Sequence, residues 1–216
     1  MDFNQVYNRA VNWVFKIETL AGTGTGWLVE PGLILTNQHV VGAYSSVTVR
    51  QNDQQPFIAQ VVAVDEIRDV ALLSFDQSDT SIGLNLNRFL GEIGLTLGNV
   101  TLADLAKTVL AMGYSGNVDN RADGSAGPAT ANIGVLSSIV TFTYYGYDNL
   151  IIDAPVDPGD SGGPVLNSDG EVVGMIRAAQ VSTASGQRVV GTFYAVHIDE
   201  IRDALLSLRA GISRYE

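Results

Sequence analysis

The chain has 216 residues, long enough for one large or two small cores. With 46% apolar and only 16% charged residues it reads as a packed globular protein rather than a disordered one. Twelve Lys plus Arg against 23 Asp plus Glu give a net charge of −11, which excludes the basic face that nucleic-acid binding needs. There is no Cys, so disulfides, a thiol nucleophile and thiolate metal sites are excluded as well.

In chain order, residues 2–10 place Phe3, Val6, Tyr7 and Ala10 on one helical face behind Asp2 at an N-cap position, which predicts a short helix. From Val11 to Phe75 the runs VNWVFKIE, GWLVE, LILTN, SVTVRQ, FIAQVVAV and VALLSF predict about six strands. Residues 76–107 are less regular and read as a connection holding a short strand or helical turn. A second series comes next in TVLAMGY, ANIGVLSSIVTF, NLIIDAP, GGPVLN, EVVGMIRA and RVVGTFYAV. Between its first two members lies a long polar loop at 116–131, a length that points to function or mobility. IDEIRDALLSLRAG then predicts an amphipathic helix stopped at Gly211. The fold class expected is therefore all-β, with two β-barrels side by side and terminal helices. The division falls at 1–100, with the N-terminal helix and first barrel, and 101–216, with the second barrel and C-terminal helix.

No stretch approaches the roughly 20 apolar residues of a membrane span. The N-terminus lacks a basic region followed by an apolar run, so no signal peptide is visible; the compartment stays undetermined.

The chemistry concentrates in Gly159-Asp160-Ser161-Gly162-Gly163-Pro164. Serine needs a base to become a nucleophile. Flanking glycines let the backbone approach a substrate carbonyl, with the N–H groups of Gly159 and Ser161 aimed at a developing oxyanion. Only His39 and His197 can supply the base. His39 comes after an apolar strand in LTNQHVV, where a loop can present it; His197, at a strand-to-helix junction, reads as a cap or packing residue. A carboxylate that orients the imidazole fits Asp69, directly ahead of the strand VALLSF, better than Asp65 in its polar turn.

GDSGG also satisfies G-x-S-x-G, and chain order would allow an esterase set of Ser161, Asp169 and His197. An elbow of that kind opens a helix, however, and Pro164-Val-Leu-Asn-Ser-Asp-Gly turns instead. The glycines of GTGTG (22–26) are wrongly spaced for a dinucleotide loop and read as turn and strand. Two distant histidines argue against a metal site, and no cofactor is called for.

Taken together, GTGTGWLVEPGLILTNQHVV (22–41), RDVALL (68–73), VLAMGY (109–114), IGVLSS (133–138), DAPVDPGDSGGPV (153–165), GEVVGM (170–175) and FYAVHID (193–199) resemble the trypsin-like proteases, and within them the HtrA/Deg catalytic domain. The resemblance implies two six-stranded barrels of the chymotrypsin fold, with His39 and Asp69 from the first barrel meeting Ser161 from the second, polypeptide substrates and an acyl-enzyme. A catalytically silent peptide-binding module on that fold is the alternative. By the same resemblance, Pro155 lies at the base of the substrate pocket, with Arg177, Ala178 and Ala179 as one wall and Gly191-Thr192 as the other. That lining favours small or medium aliphatic side chains. Phe3, Tyr7 and Trp13 stand equally as a homo-oligomer contact, as in HtrA N-termini, or as core packing.

Three departures from the family pattern stand out. HtrA chains usually carry Asn where this one has Asp160. Secreted digestive relatives have Asp there, paired with a newly cut N-terminus, but no Ile-Val-Gly-Gly-type segment precedes the first strand here. Asp160 should therefore be held by a hydrogen-bond donor or an Arg. HtrA chains also usually continue into a PDZ domain, whereas this sequence stops after a single helix, either trimmed or differently regulated, and the 116–131 loop is longer than usual.

Overall fold

The computed structural model describes residues 2–52, 55–76, 78, 93–116, 126–142, 146–177 and 191–216. Helix α1 (Phe3–Ala10) starts at Asp2, whose side chain accepts from the Gln5 N–H while the Gln5 side chain returns a bond to the Asp2 backbone. Buried Val6, Ala10 and Trp13 join the core, and the Tyr7 hydroxyl donates to the Ala129 carbonyl at 2.9 Å. Phe3 and Tyr7 pack against that core as partly buried residues.

Twelve strands form two closed antiparallel barrels. The first holds β1 (Val14–Thr19), β2 (Gly22–Glu30), β3 (Leu33–Thr36), β4 (Ser46–Arg50), β5 (Phe57–Asp65) and β6 (Val70–Ser74), in the order β1-β2-β3-β6-β5-β4. The second holds β7 (Thr108–Gly113), β8 (Thr130–Phe142), β9 (Tyr147–Ile152), β10 (Pro164–Leu166), β11 (Val172–Arg177) and β12 (Phe193–His197), in the order β10-β11-β12-β9-β8-β7. Read from β7, that is the winding of the first barrel, so one topology occurs twice although the sequence shows no repeat. Each of the twelve apolar runs holds a strand, as expected for Val/Ile/Leu-rich segments punctuated by turn residues, although Val11–Trp13 forms a 3-10 turn ahead of β1 and residues 188–190 lie outside the described residues. Trp27, Phe15, Ile17, Leu28, Ile34 and Leu72 fill one barrel, and Leu110, Met112, Leu136 and Leu150 the other. Register breaks at Leu28/Glu30, Val61/Ala63, Leu136/Ser138 and Val165/Leu166 supply the bends that closure requires.

In the irregular connection a 3-10 turn at Leu102–Asp104 is capped by Thr101. The polar 116–131 loop lies mostly outside the described residues. Helix α3 (Ile198–Leu208) is capped by His197, whose Nδ1 accepts from the Asp199 N–H at 3.1 Å. It runs one turn short of Gly211, and its buried Ile198, Ile201, Ala204, Leu205 and Leu208 pack against strands of both barrels. Among the described residues no helix is long and apolar enough to cross a membrane.

Candidate active site

The winding of the first barrel brings His39 and Asp69 together. Because β3 and β6 are paired, with Thr36 opposite Ala71, the chain leaving β3 and the chain entering β6 lie side by side. His39 sits on the short helix α2 (Gln38–Val41) just after β3, and Asp69 closes the turn that leads into β6. Asp69 has φ of 59°, a left-handed conformation that Asp tolerates better than most residues. The Asn37 side-chain amide donates to the Asp69 carbonyl at 2.9 Å and fixes that turn. Asp69 Oδ1 accepts the His39 backbone N–H at 2.9 Å, and His39 Nδ1 stands 2.8 Å from Oδ2 and 3.1 Å from Oδ1. With Nδ1 facing a carboxylate, the ring proton belongs on Nδ1, which leaves Nε2 as the basic nitrogen. The carboxylate is buried, with a side-chain exposure of 5%, whereas the imidazole is open at 46%. Asp65 does something else: it accepts from the Arg68 backbone N–H at 2.9 Å and its guanidinium at 3.1 Å, bracing the turn.

The second barrel presents Ser161 in the turn before β10. Beyond Gly163 the chain continues as a strand of an antiparallel barrel, not as a helix, so the esterase elbow is absent. Gly159 has φ of 106°, and a Cβ there would lie 2.3 Å from the Tyr114 carbonyl oxygen. At Gly162, with φ of 87°, a Cβ would lie 2.1 Å from the Thr25 carbonyl oxygen. Only glycine fits either position. The Pro158 carbonyl is taken up by the Gly116 N–H at 2.8 Å and the Gly159 carbonyl by the Thr25 hydroxyl at 2.7 Å. Among the described residues neither the Gly159 N–H nor the Ser161 N–H has a partner within the chain, so both remain available to an external oxygen.

Thr25, fully buried on β2, ties this loop to the first barrel. Its N–H donates to the Ser161 carbonyl at 2.8 Å, its hydroxyl accepts from the Tyr114 N–H at 2.9 Å, and its carbonyl accepts from the Thr36 hydroxyl at 2.7 Å. Sequence reasoning passed over Thr25. The signal was there in the alternation of small residues in GTGTG, a strand pattern that marks the close approach of other backbone.

Asp160 points away from the site and is buried over Gly113. The expected donor is Ser115, whose hydroxyl lies 2.8 and 2.9 Å from the two carboxylate oxygens, joined by the Asp157 N–H at 2.9 Å. Desolvation pushes the Asp160 carboxyl above the usual carboxylate range, and the nearby Asp157 charge adds to the rise. The bonds from the Asp157 N–H and Ser115 oppose it.

Of the residues expected to line a pocket, Pro155 is exposed between buried Ala154 and Val156, and Thr192 is half-buried. Ala178 and Ala179 lie outside the described residues. The Arg177 side chain extends to Asp69, with Nε 3.2 Å from Oδ2, and to the Tyr147 hydroxyl, to which Nη1 donates at 2.7 Å. Among the described residues no cluster of His, Asp and Glu could hold a metal ion.

The chain is similar to known proteases. A family model described as a trypsin-like peptidase domain matches residues 24–175. The putative serine protease HhoA of Synechocystis is 28% identical over 97% of this chain and 48% of its own length. A probable periplasmic serine endoprotease, DegP-like, of Pseudomonas fluorescens is 31% identical over 87% of this chain and 35% of its own. The chain thus spans half or less of these curated relatives. Among solved structures, the Rv3671c protease of M. tuberculosis in its active form superposes with a TM-score of 0.73 at 26% identity, covering 95% of this chain and 85% of that one. An inactive form of the same protein, a Ser343Ala mutant, gives 0.72.

Proposed function

Since this chain belongs to the trypsin-like peptidase family, we propose that it is a serine endopeptidase in which Ser161, His39 and Asp69 hydrolyse peptide bonds through an acyl-enzyme. Ser161 Oγ attacks the scissile carbonyl while His39 Nε2 takes its proton. Asp69 holds the Nδ1 proton and stabilises the imidazolium. The oxyanion is received by the N–H groups of Gly159 and Ser161. His39 then gives the proton to the leaving amine, and water repeats the sequence to release the acid. The observation that carries this reading is the 2.8 Å contact of His39 Nδ1 with a buried carboxylate, which leaves Nε2 as the base.

One observation favours a second reading. Among the described residues no hydrogen bond joins Ser161 to His39. A catalytically silent peptide-binding module would have such a gap, although in unliganded proteases this bond is commonly long and closes around substrate. A fluorophosphonate, which reacts only with an activated serine, separates the two. Labelling mapped to Ser161 by mass spectrometry, and abolished in Ser161→Ala, supports the enzyme; an unlabelled protein that still binds peptide supports the module. Polypeptides are the substrates in either the hydrolysed or the bound sense. Pro155 and Thr192, with Ala178, Ala179 and the backbone of Arg177, are proposed to line the pocket for the side chain before the cut.

A further inference from the structure

Arg177 ends β11 in the second barrel, yet its guanidinium meets a carboxylate of the first. Asp69 Oδ1 accepts from the His39 N–H and lies 3.1 Å from Nδ1. Asp69 Oδ2 is shared between His39 Nδ1 at 2.8 Å and Arg177 Nε at 3.2 Å. The outer edge of the guanidinium is in turn set by Tyr147 on β9, which is buried and 2.7 Å from Nη1. Since β9 and β11 both flank β12, the arginine spans one strand to reach that hydroxyl. Both ends of the side chain are therefore fixed.

We infer that Arg177 is a positioning residue for the proposed reaction, a clasp from the second barrel that fixes the Asp69 carboxylate, and through it the His39 imidazole, relative to Ser161. Asp69 and His39 ride on one barrel and Ser161 on the other, so the proton transfer between them depends on how the barrels are registered. A guanidinium is suited to this task. It is planar, permanently charged and able to bond in two directions at once, here to the carboxylate and the phenol. A lysine would keep the charge facing Asp69, the larger part of the contact, but not the planar fork that also spans to the phenol.

The inference rests on the Ser161–His39–Asp69 reading, and its test uses Arg177→Gln, Arg177→Lys and Tyr147→Phe in the full chain. With a fluorogenic peptide, Arg177→Gln should lose roughly 10-fold or more in kcat with KM changed less than about 2-fold, the pattern of a misaligned reacting pair. Arg177→Lys should recover most of that loss, and Tyr147→Phe should show a smaller loss of the same kind. A kcat within about 2-fold of the parent in Arg177→Gln, or a loss confined to KM, overturns the clasp and gives Arg177 to the substrate or to nothing. The second readout needs no turnover. In the Ser161→Ala background, the NMR signal of the His39 Nδ1 proton should be protected from exchange, and adding Arg177→Gln should broaden or abolish it. An unchanged signal overturns the clasp. Failure of the parent protein to react with fluorophosphonate sinks the triad reading instead, while the NMR comparison continues to report on the clasp by itself.

Discussion

Replacing Thr25 by Val tests whether the first barrel holds the oxyanion loop in place. The two side chains have nearly the same shape, so packing is kept and only the hydroxyl is lost. That hydroxyl donates to the Gly159 carbonyl at 2.7 Å and accepts the Tyr114 N–H at 2.9 Å, in a site without solvent access. Two buried backbone groups would be left unpaired at about 1–3 kcal/mol each, so the variant should lose roughly 2–6 kcal/mol of stability. For a domain of this size that corresponds to a drop of roughly 4–24 °C in Tm. Freeing the Gly159 carbonyl would let the dihedrals at Gly159 relax and strain the neighbouring 158–159 peptide, whose N–H faces the site and whose carbonyl is held by Gly116. One such donor is worth on the order of 10²–10³ in rate, so the rate of fluorophosphonate labelling should fall by at least about 10-fold. Thr25→Ser keeps the hydroxyl and should stay within about 1 kcal/mol and a few-fold in rate of the parent. Melting curves and labelling rates at one pH decide the matter. If Thr25→Val melts with the parent and labels within 2-fold, Thr25 does not hold the loop.

Three further outcomes are expected. Ser161→Ala should abolish labelling and cut turnover by on the order of 10⁴–10⁶ while leaving Tm nearly unchanged, and activity above a few per cent would remove Ser161 from its role. Asp160→Asn should gain stability relative to the parent as pH rises. Burial holds the folded-state pKa of Asp160 above its unfolded value, so its stabilising contribution is complete below the ordinary carboxylate range and is lost as pH climbs through the raised value. A Tm difference that stays flat or shrinks across that window would contradict the stated cause. A peptide-library profile should show cleavage after small or medium aliphatic residues, since Pro155 offers no carboxylate for Arg or Lys and Thr192 narrows the opposite wall. Dominant cleavage after Arg, Lys or Phe would redraw the pocket.

The twelve strands were legible because each is a compact apolar run between turn residues, and the helix caps because Asp2 and His197 act within two or three positions of themselves. His39, Asp69 and Ser161 could be singled out for the same local reason: each lies in a short string at the edge of a strand. Their assembly was not local. His39 meets Asp69 across 30 positions because β3 pairs with β6, a fact of barrel winding that no single segment encodes. The supporting residues were harder still. Thr25 is 134 positions from Gly159, and Ser115 is 45 from Asp160. Threonine in a strand and serine in a loop are common enough that only the partner distinguishes them. Arg177 was noticed as a pocket wall by resemblance, yet its ion pair with Asp69 depends on how the barrels face each other.

The contacts between the barrels bear on how the proposed site, divided across two cores, is held in one geometry. Apolar surfaces adhere but define position weakly, because sliding by an ångström costs little when every neighbour is another methyl group. The links seen here are of a different kind. Thr25 uses its N–H, hydroxyl and carbonyl at once, so any shift of the oxyanion loop breaks several bonds together. Glu200 on α3 binds Arg68 of the first barrel at 2.8 Å and the Asp148 N–H of the second at 2.9 Å, one residue from Asp69 and one from Tyr147 respectively. Arg177 closes the set from Tyr147 to Asp69. Each link is buried or half-buried, where an unpaired polar group is costly, so the barrels have one arrangement that satisfies all three and none nearby that does as well. On this reasoning the ties should be coupled: pairing Arg177→Gln with Thr25→Val should cost more or less than the sum of the two single changes, because both act on one degree of freedom. A double-mutant cycle on kcat that closes to within about 0.3 kcal/mol would show instead that the barrels are held by their apolar contact and that the polar links act one by one.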